Sequence, residues 1–434
     1  MNLGSGQGSE ARFAAYVEGL VSVIGHADRA GPLHDYCTGL MLPGERKSVE
    51  PMAARTAPAR TAAQHQSLLH FVGVAPWSDE KVLGKVRELV LPAIEKHGAP
   101  GTKCPGVEAW IIDDTAFPKQ GRLSVGVHHQ YCGQLGKQAN CQVAVSLSLA
   151  NHAASLPVAY RLYLPKDWTE DGARRDKAGV PLDIGFKTKP EIALEQIRWA
   201  CEAGLPRGVA LMDVAYGNDS RLRTGMTALG LTYVAGIQPN TLMWPSGAGP
   251  QRRGKPLNNT GRRDEPDLIS AKEVARALPK RAWRTIRWRE GSADWLSSRF
   301  ARVRVGVGHN RLIPETLAQE WLLIEWPEGE AEPTKYWLST LPANVSFRKL
   351  VDLAKLRWRI ERDYQELKQE VGLGHYEGRG WRGFHHHATL CIAAYGFLIA
   401  ERAMIPPSGP CATAWFQTPA LPESYRPRGS ALAA

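Results

Sequence analysis

The order of strand-like and helix-like segments between residues 107 and 239 constrains the fold more than any other feature of this sequence. Three short apolar or alternating runs come first, and two helical runs then alternate with two further strand-like runs. The two alternating runs separated by Asn151 and His152 favour an antiparallel pair of strands. Strands that alternate with helices form a sheet covered by helices. The sequence therefore predicts an α/β fold with a mixed sheet and flanking helices.

Changes in composition and hydrophobic pattern predict how the rest of the chain is organised. Residues 1–104 carry helical apolar stripes, and residues 105–239 hold the strand and helix pattern. A β-rich stretch interrupts this pattern at residues 240–342, and helical segments resume at 343–404. We therefore expect a helical N-terminal domain and a core in two parts that enclose a β-rich insertion. Residues 405–434 form a Pro-rich tail.

The charge of the chain favours an anionic partner. The 54 Lys and Arg residues exceed the 43 Asp and Glu residues, which gives a net charge of +11 at pH 7. Such a surplus is typical of proteins that bind nucleic acid. The most apolar run, residues 388–400, is too short to span a bilayer, and the N-terminus lacks the features of a signal peptide. With seven scattered cysteines, we expect a cytoplasmic protein with reduced thiols and no membrane partner.

Two other segments could face an anionic partner. Residues 43–66 are basic and rich in Pro and Ala, which fits either a DNA-contacting segment or a solvated linker. Residues 385–387 are three consecutive histidines. Consecutive helical side chains point about 100° apart, so these three cannot converge on one metal ion. We expect them on a helix surface or facing phosphate.

A helix near the end of the chain combines an apolar stripe with a charged face. Apolar residues recur at steps of three and four between Leu353 and Val371. Arg357, Glu361 and Lys368 each follow a member of that stripe by one residue, so they share a neighbouring face. A carboxylate between two cations suits a site that holds a metal ion and grips a phosphate. An ordinary solvated salt-bridge face has the same pattern.

Further carboxylates follow two short apolar strands. Asp113 and Asp114 follow one predicted strand, and Asp213 follows another. Strand ends at the edge of an α/β sheet are where ligands gather. Together with Glu361, these carboxylates would supply the oxygen ligands that Mg²⁺ prefers. Each aspartate alone is more typical of a turn or a helix cap.

The late helix resembles a signature of the DDE transposases of bacterial insertion sequences. One branch of that family carries its glutamate within Y-x2-R-x3-E-x6-K. Arg357, Glu361 and Lys368 match the last three positions at the same intervals, whereas Ala354 stands at the tyrosine position.

The aspartates extend the resemblance to roughly residues 107–400. The first aspartate of the superfamily commonly stands as D-x-T at the end of the first strand, and Asp113 fits that position. Asp114 takes its place if the register is one residue later. Asp213 matches the second aspartate. The resemblance implies an RNase H-like mixed sheet with a β-rich insertion before the last catalytic helix.

The family resemblance also implies a function. It predicts a transposase that cuts transposon ends and joins them to target DNA by a two-metal mechanism. Mg²⁺, with Mn²⁺ as a substitute, would be held by Asp113, Asp213 and Glu361. The partners would be double-stranded DNA, bound partly by residues 1–104, and a second copy of the chain. A non-catalytic DNA-binding regulator and a structure-selective nuclease of the same fold are the alternatives.

Several residues are candidates for DNA contact under this resemblance. Arg357 and Lys368 would contact phosphates near the scissile bond. Lys119 is a further phosphate contact or, alternatively, an exposed turn lysine. Trp288 and Trp358 stand beside arginines and could stack on an unpaired base, although tryptophans in such positions also build cores.

Overall fold

The N-terminal region is helical, as predicted. The computed structural model describes residues 8–96, 106–245, 268–290, 295–307 and 319–404. Each helix of the N-terminal region turns apolar residues inward, as Tyr16, Val17 and Leu20 do in the first one. The helices of this region are α1 (Ser9–Val21), α2 (Ala30–Met41), α3 (Val49–Thr56), α4 (Thr61–Gly73) and α5 (Asp79–Lys96).

The basic segment of residues 43–66 is packed against the protein and is not a solvated linker. It contains α3 and the beginning of α4, and Met52 and Ala53 of α3 are fully buried. The buried Lys47 donates from its Nζ to the carbonyls of Leu40 and Glu370. The linker interpretation was wrong because α3 packs against α2 and α4.

The strands of the core and those of the predicted insertion belong to one mixed sheet. They are β1 (Ala109–Pro118), β2 (His128–Cys132), β3 (Lys137–Ala150), β4 (Ser155–Leu162), β5 (Val209–Met212), β6 (Tyr233–Ile237), β9 (Arg284–Glu290), β10 (Trp295–Gly306), β11 (Gln319–Pro327) and β12 (Lys335–Ser339), with β7 (Leu242–Met243) and β8 (Ile269–Ser270) in a separate pair. The order in the sheet is β2-β3-β1-β5-β6-β12-β11-β10-β9, and β4 pairs with β3. Because β12 pairs with β6, the β-rich segment continues the core sheet.

The predicted α/β class and the RNase H-like mixed sheet are confirmed. β1, β5 and β6 are parallel neighbours, whereas β3 and β4 form the expected antiparallel pair. The sequence did not reveal β2, whose exposed edge position gives it little apolar alternation. The remaining helices are α6 (Lys166–Glu170), α7 (Gly172–Ala178), α8 (Lys189–Glu202), α9 (Val214–Gly217), α10 (Ser220–Ala228), α11 (Ala271–Ala277), α12 (Phe347–Leu356), α13 (Trp358–Gln369) and α14 (Trp381–Met404).

The three consecutive histidines lie on α14, which packs against α1, α2, α4 and α5 as well as β4. His386 and His387 are each 2% exposed. The ring of His386 stacks on Trp77 with centroids 3.6 Å apart, and Nδ1 of His387 lies 2.8 Å from the Tyr36 hydroxyl oxygen. The expectation of surface or phosphate-facing histidines was wrong for this pair because helices and sheet cover most of α14. Over the described ranges, no helix has the length and apolarity needed to cross a membrane.

Candidate active site

Two of the predicted acids lie side by side on neighbouring parallel strands. The last paired residues of β1 and β5 are Ile112 and Met212, so Asp113 and Asp213 follow at the same level. Adjacent strands lie about 5 Å apart, which brings these two residues close together. The sequence analysis placed Asp113 at the end of a strand, but β1 continues to Pro118. Asp113 instead follows the last residue of β1 that pairs with β5.

Asp213 is held by the turn that follows its strand. It is the N-cap of α9, and its Oδ1 accepts hydrogen bonds from the N–H groups of Ala215 at 2.9 Å and Tyr216 at 3.2 Å. These bonds satisfy backbone donors at the beginning of the helix. The carboxylate is therefore fixed at the end of β5, beside Asp113.

Asp113 and Asp114 face opposite sides of the sheet, because side chains alternate along a strand. Asp113 faces α13, and its Oδ2 accepts from Nη1 of Arg357 at 2.7 Å. Asp114 faces α8 instead. Its Oδ2 accepts from the Tyr216 hydroxyl at 3.0 Å and lies 3.2 Å from Nζ of Lys189. The two aspartates thus belong to different charge clusters.

Arg357 joins the aspartates to the predicted glutamate. Its Nη2 donates to Oε1 of Glu361 at 2.8 Å while Nη1 contacts Asp113. Burial lowers the pKa of Arg357, but the charges of Asp113, Asp213 and Glu361 outweigh this effect and raise it above its usual value. The guanidinium therefore lies among all three predicted acids.

The helix that carries these residues is interrupted. The sequence predicted one helix from residue 346 to 371, whereas the structure has α12 and α13 separated at Arg357. Ser346 caps α12 as predicted, since its Oγ accepts from the N–H of Lys349 at 3.1 Å. The Arg357 carbonyl accepts from the N–H of Ile360, three residues later, at 3.1 Å. A bond between residues three apart is a 3₁₀-type turn, and Arg357 keeps helical dihedral angles within it.

The acids differ in their exposure to solvent. The Asp113 side chain is 15% exposed, whereas the Glu361 side chain is 65% exposed. Burial raises the pKa of Asp113 to about 7, although Arg357 acts in the opposite direction. The site therefore combines a fixed, buried carboxyl group with a glutamate that is largely in solvent.

The donor set suits a divalent metal ion, but the side chains are not gathered around one point. Among the described residues there is no group of three or more His, Cys, Asp or Glu side chains placed to hold a metal ion. Arg357 lies between Asp113 and Glu361, and Asp213 binds the backbone of α9. Three carboxylates still provide the hard oxygen ligands that Mg²⁺ requires.

Of the two predicted lysines, Lys368 lies on α13 and contacts β1 beyond the acids, and Lys119 directly follows the last residue of β1. Nζ of Lys368 donates to the Ala116 carbonyl at 2.7 Å and to Oε1 of Gln134 at 3.1 Å. Burial lowers the pKa of Lys368 to about 8. Nζ of Lys119 donates to the Tyr376 carbonyl at 2.7 Å, and burial also lowers its pKa. Lys119 is thus partly buried and is not a freely exposed turn lysine.

The two predicted tryptophans line a cavity next to the acids. Its volume is about 690 Å³, and its walls include Asp213 and Glu361 together with Trp288 and Trp358. Trp288 and Trp358 are each only partly buried. The cavity therefore brings aromatic surface and carboxylates into one space.

Sequence reasoning missed two side chains of this cavity. Lys355 places its Nζ 4.5 Å from the centroid of the Trp288 ring and bonds both carboxylate oxygens of Glu325 at 2.5 Å. Trp337, on β12, lines the same cavity. Lys355 stands two residues before Arg357, but only the long-range pairing of β6 with β12 shows that Trp337 is nearby.

Comparisons with known proteins show which proteins the chain is similar to. A family model described as "DDE superfamily endonuclease" matches residues 19–294. This range includes Asp113 and Asp213 and ends before Glu361. The chain is also similar to a protein of Microchaete diplosiphon named "Probable transposase for insertion sequence element IS701". The two are 24% identical over 315 residues, which cover 71% of this chain and 67% of that protein.

Proposed function

Since this chain belongs to the DDE superfamily endonucleases, we propose that it is a transposase that cuts DNA at the ends of an insertion sequence and joins the freed strand to target DNA. The observation that carries this proposal is the position of Arg357 among three carboxylates. Asp113 and Asp213 come from adjacent strands, and Glu361 comes from α13. A surface salt-bridge array would not need acids from three separate elements.

Asp113, Asp213 and Glu361 would hold Mg²⁺, for which Mn²⁺ would substitute. When bound, two such ions activate a water or sugar hydroxyl and stabilise the leaving oxygen of a phosphodiester. The protein supplies the orientation of the ligands. Asp113 is fixed by strand pairing, Asp213 is fixed by its bonds to α9, and Glu361 rotates inward from solvent.

Arg357 and Lys368 would bind phosphates on either side of the reacting bond. In this structure Arg357 neutralises Asp113 and Glu361. The geometry of its planar guanidinium also suits two hydrogen bonds to the oxygens of a phosphate. Lys368 lies near Ala116, three residues farther along β1. Cations fixed before the reaction stabilise the negative charge that builds up on the transferring phosphate.

Trp288 and Trp358 would receive a base that leaves the duplex near the cut. Stacking on an aromatic ring contributes about 1–3 kcal/mol per base, which offsets part of the cost of unstacking. The cavity next to Glu361 has space for one base beside these rings. Because an element has two ends, we propose that two copies of the chain act together on DNA.

Cleavage of the element's own ends tests the proposal. Purified protein is mixed with Mg²⁺ and linear DNA that carries those ends, and cut and joined products are resolved on gels. In Glu361→Gln we expect cleavage to fall by about 10³-fold or more with DNA binding retained, because one metal ligand is lost. Glu330→Gln, at an exposed position between β11 and β12, is the matched control.

Three results would contradict the proposal in different ways. Cleavage that persists unchanged in Glu361→Gln would remove this residue from the active site. Cut DNA without joined products would restrict the protein to a nuclease. Binding without any cut, with or without Mg²⁺, would identify a non-catalytic regulator.

A further inference from the structure

A second pocket lies where β1 ends, away from the acids. It has a volume of about 480 Å³. Three separate parts of the chain form its walls: residues 118–124 after β1, residues 374–379 after α13, and Arg46 from the N-terminal region. No role has been assigned so far to this pocket as a whole.

Positive charge predominates in this pocket. Its lining includes the side chains of Arg46, Lys119 and Arg379, and Glu377 is the one carboxylate among its described lining residues. Arg46 forms an ion pair with Glu377, whereas Lys119 donates to a backbone carbonyl. The acid therefore compensates one of the three cations, and the pocket retains a net positive charge.

The pocket is open to a ligand at its backbone walls. Gly121 and Gly374 both line it, and a Cβ atom added at either glycine would meet nothing within 4 Å. An anion can therefore approach the main chain closely at these two positions. A partly buried lysine, an exposed arginine and accessible backbone together suit a phosphate group.

The pocket continues a row of cations that begins at the acids. Arg357 contacts Asp113, Lys368 contacts Ala116 three residues later, and Lys119 follows three residues after that. Positions 113 and 117 of β1 share one face, and Nζ of Lys368 lies 5.0 Å from the Phe117 ring. Lys119 directly follows the strand, and its N–H still donates to the Asn140 carbonyl of β3. At about 3.3 Å per residue, the row spans roughly 20 Å.

We propose that this pocket binds a backbone phosphate of the DNA strand about 20 Å from the bond that is cut. The distance is the length of the row of cations between the acids and Lys119. We favour DNA over a small free anion because of the row of cations. A small anion would contact the pocket alone, whereas a polyanion would also contact the cations between the pocket and the acids. This inference rests on the proposed function.

Such a contact would link two regions of the protein through the DNA. Arg46 precedes α3, and Lys119 and Arg379 flank core elements. A phosphate held by all three would fix the N-terminal helices relative to the acids. Binding at the pocket would then orient the strand toward the active site before the cut.

The salt dependence of DNA binding measures the number of phosphate contacts. We expect Lys119→Gln and Arg379→Gln each to reduce the slope of log affinity against log salt by about 1. Arg379 is exposed, so its substitution should leave folding intact even if Lys119→Gln does not. The control is Arg198→Gln, an exposed arginine on α8, which covers the Asp114 face of the sheet.

A scan with neutral methylphosphonate linkages locates the contact. Linkages are placed one at a time on each strand of the end DNA. At the linkage whose phosphate lies about 20 Å from the cut, wild-type binding should weaken by about two- to fivefold, the range of one exposed ion pair. The same linkage should have a smaller effect on the Arg379→Gln variant, because one of the partners of that phosphate is already absent.

The possible failures are distinguishable. If wild-type protein cuts the ends but no linkage couples to Arg379, the pocket inference is wrong and the proposed function stands. If inorganic phosphate binds and depends on Arg379 while the scan shows no coupling, the pocket is a site for free anions and the inference is again wrong. If wild-type protein neither binds nor cuts the ends, both proposals fail.

Discussion

At the scale of single residues, the acid site depends on a balance of charge around Arg357. Asp113 is buried next to Asp213, and burial and the neighbouring acid both raise its pKa. The guanidinium of Arg357 opposes this effect at 2.7 Å. The structure thus keeps like charges together by placing a cation of the chain among them.

The two adjacent aspartates of β1 should respond differently to substitution. We expect Asp113→Asn to abolish DNA cleavage, since this side chain faces Arg357 and α13. Asp114→Asn should retain cleavage within about tenfold, because Asp114 contacts Tyr216 and Lys189 on the opposite face. Cleavage assays on both variants decide the register. If a normally folded Asp114→Asn variant were inactive while Asp113→Asn remained active, Asp114 and not Asp113 would belong to the acid site.

Some of these residues could be predicted from the sequence, and the physical reason is local spacing. Arg357 and Glu361 are four residues apart, so helical geometry alone brings them together. The choice between Asp113 and Asp114 depends on which face of β1 packs against α13. That contact joins residues far apart in the sequence, so local spacing does not predict it. Lys355 and its contact with Trp288 were missed for the same reason.

At the scale of elements, the short helix α9 fixes the position of Asp213. Gly217, its last residue, lies against β6, and a Cβ atom there would be 2.0 Å from the Gly236 carbonyl oxygen. We expect Gly217→Ala to lower the free energy of unfolding by about 3 kcal/mol, since the central strand β6 has little room to move. It should also reduce DNA cleavage by displacing Asp213.

Gly172→Ala provides the matched control for that prediction. An added Cβ atom at Gly172 meets nothing within 4 Å, so stability should change by less than about 1 kcal/mol. Chemical denaturation measures both variants. Equal stability of Gly217→Ala and the wild type would show that α9 does not hold Asp213 against β6.

The break between α12 and α13 shows a limit of prediction at this scale. Apolar spacing identified the helical segment and its first residue, and the N-cap at Ser346 was confirmed. No glycine or proline marks the interruption at Arg357. The side chain of Arg357 instead contacts Asp113, 244 positions earlier, and such tertiary contacts override local helix propensity.

At the scale of the whole molecule, buried acids and buried histidines give opposite pH dependences of stability. Burial raises the pKa of Asp363 from 3.8 to about 7. Its contribution to stability is therefore present below pH 4 and is lost as the pH rises through 7. Burial lowers the pKa of His387 from 6.5 to about 4, so its contribution is present above pH 6.5 and is lost as the pH falls toward 4.

Two variants should separate these contributions between pH 4.5 and 6. Asp363→Asn should change the slope of unfolding free energy against pH by about +1.4 kcal/mol per unit, because one proton is no longer taken up on folding. His387→Gln should change the slope by about −1.4 kcal/mol per unit. Urea denaturation at several pH values measures both. Slopes that move in the same direction would contradict the assignment.

The overall sheet was only partly predictable because its assembly is non-local. The order of strands and helices between residues 107 and 239 predicted the core, since neighbours in sequence form much of it. The β-rich segment was expected as an insertion into the core, and its strands were recognised. Its attachment to the core depends on the pairing of β6 with β12, about 100 residues apart, which no local pattern encodes.

The packing of α14 has a consequence for the synthesis of the chain. Tyr16 of α1 donates to the Ala393 carbonyl, and α2, α4 and α5 also pack on this last helix. Roughly 300 residues separate α5 from α14, which a ribosome producing about 5–20 residues per second needs some 15–60 s to add. During that interval the apolar faces of the first helices lack their final partner. The helices α1 to α5 therefore leave the ribosome well before they can reach their native packing.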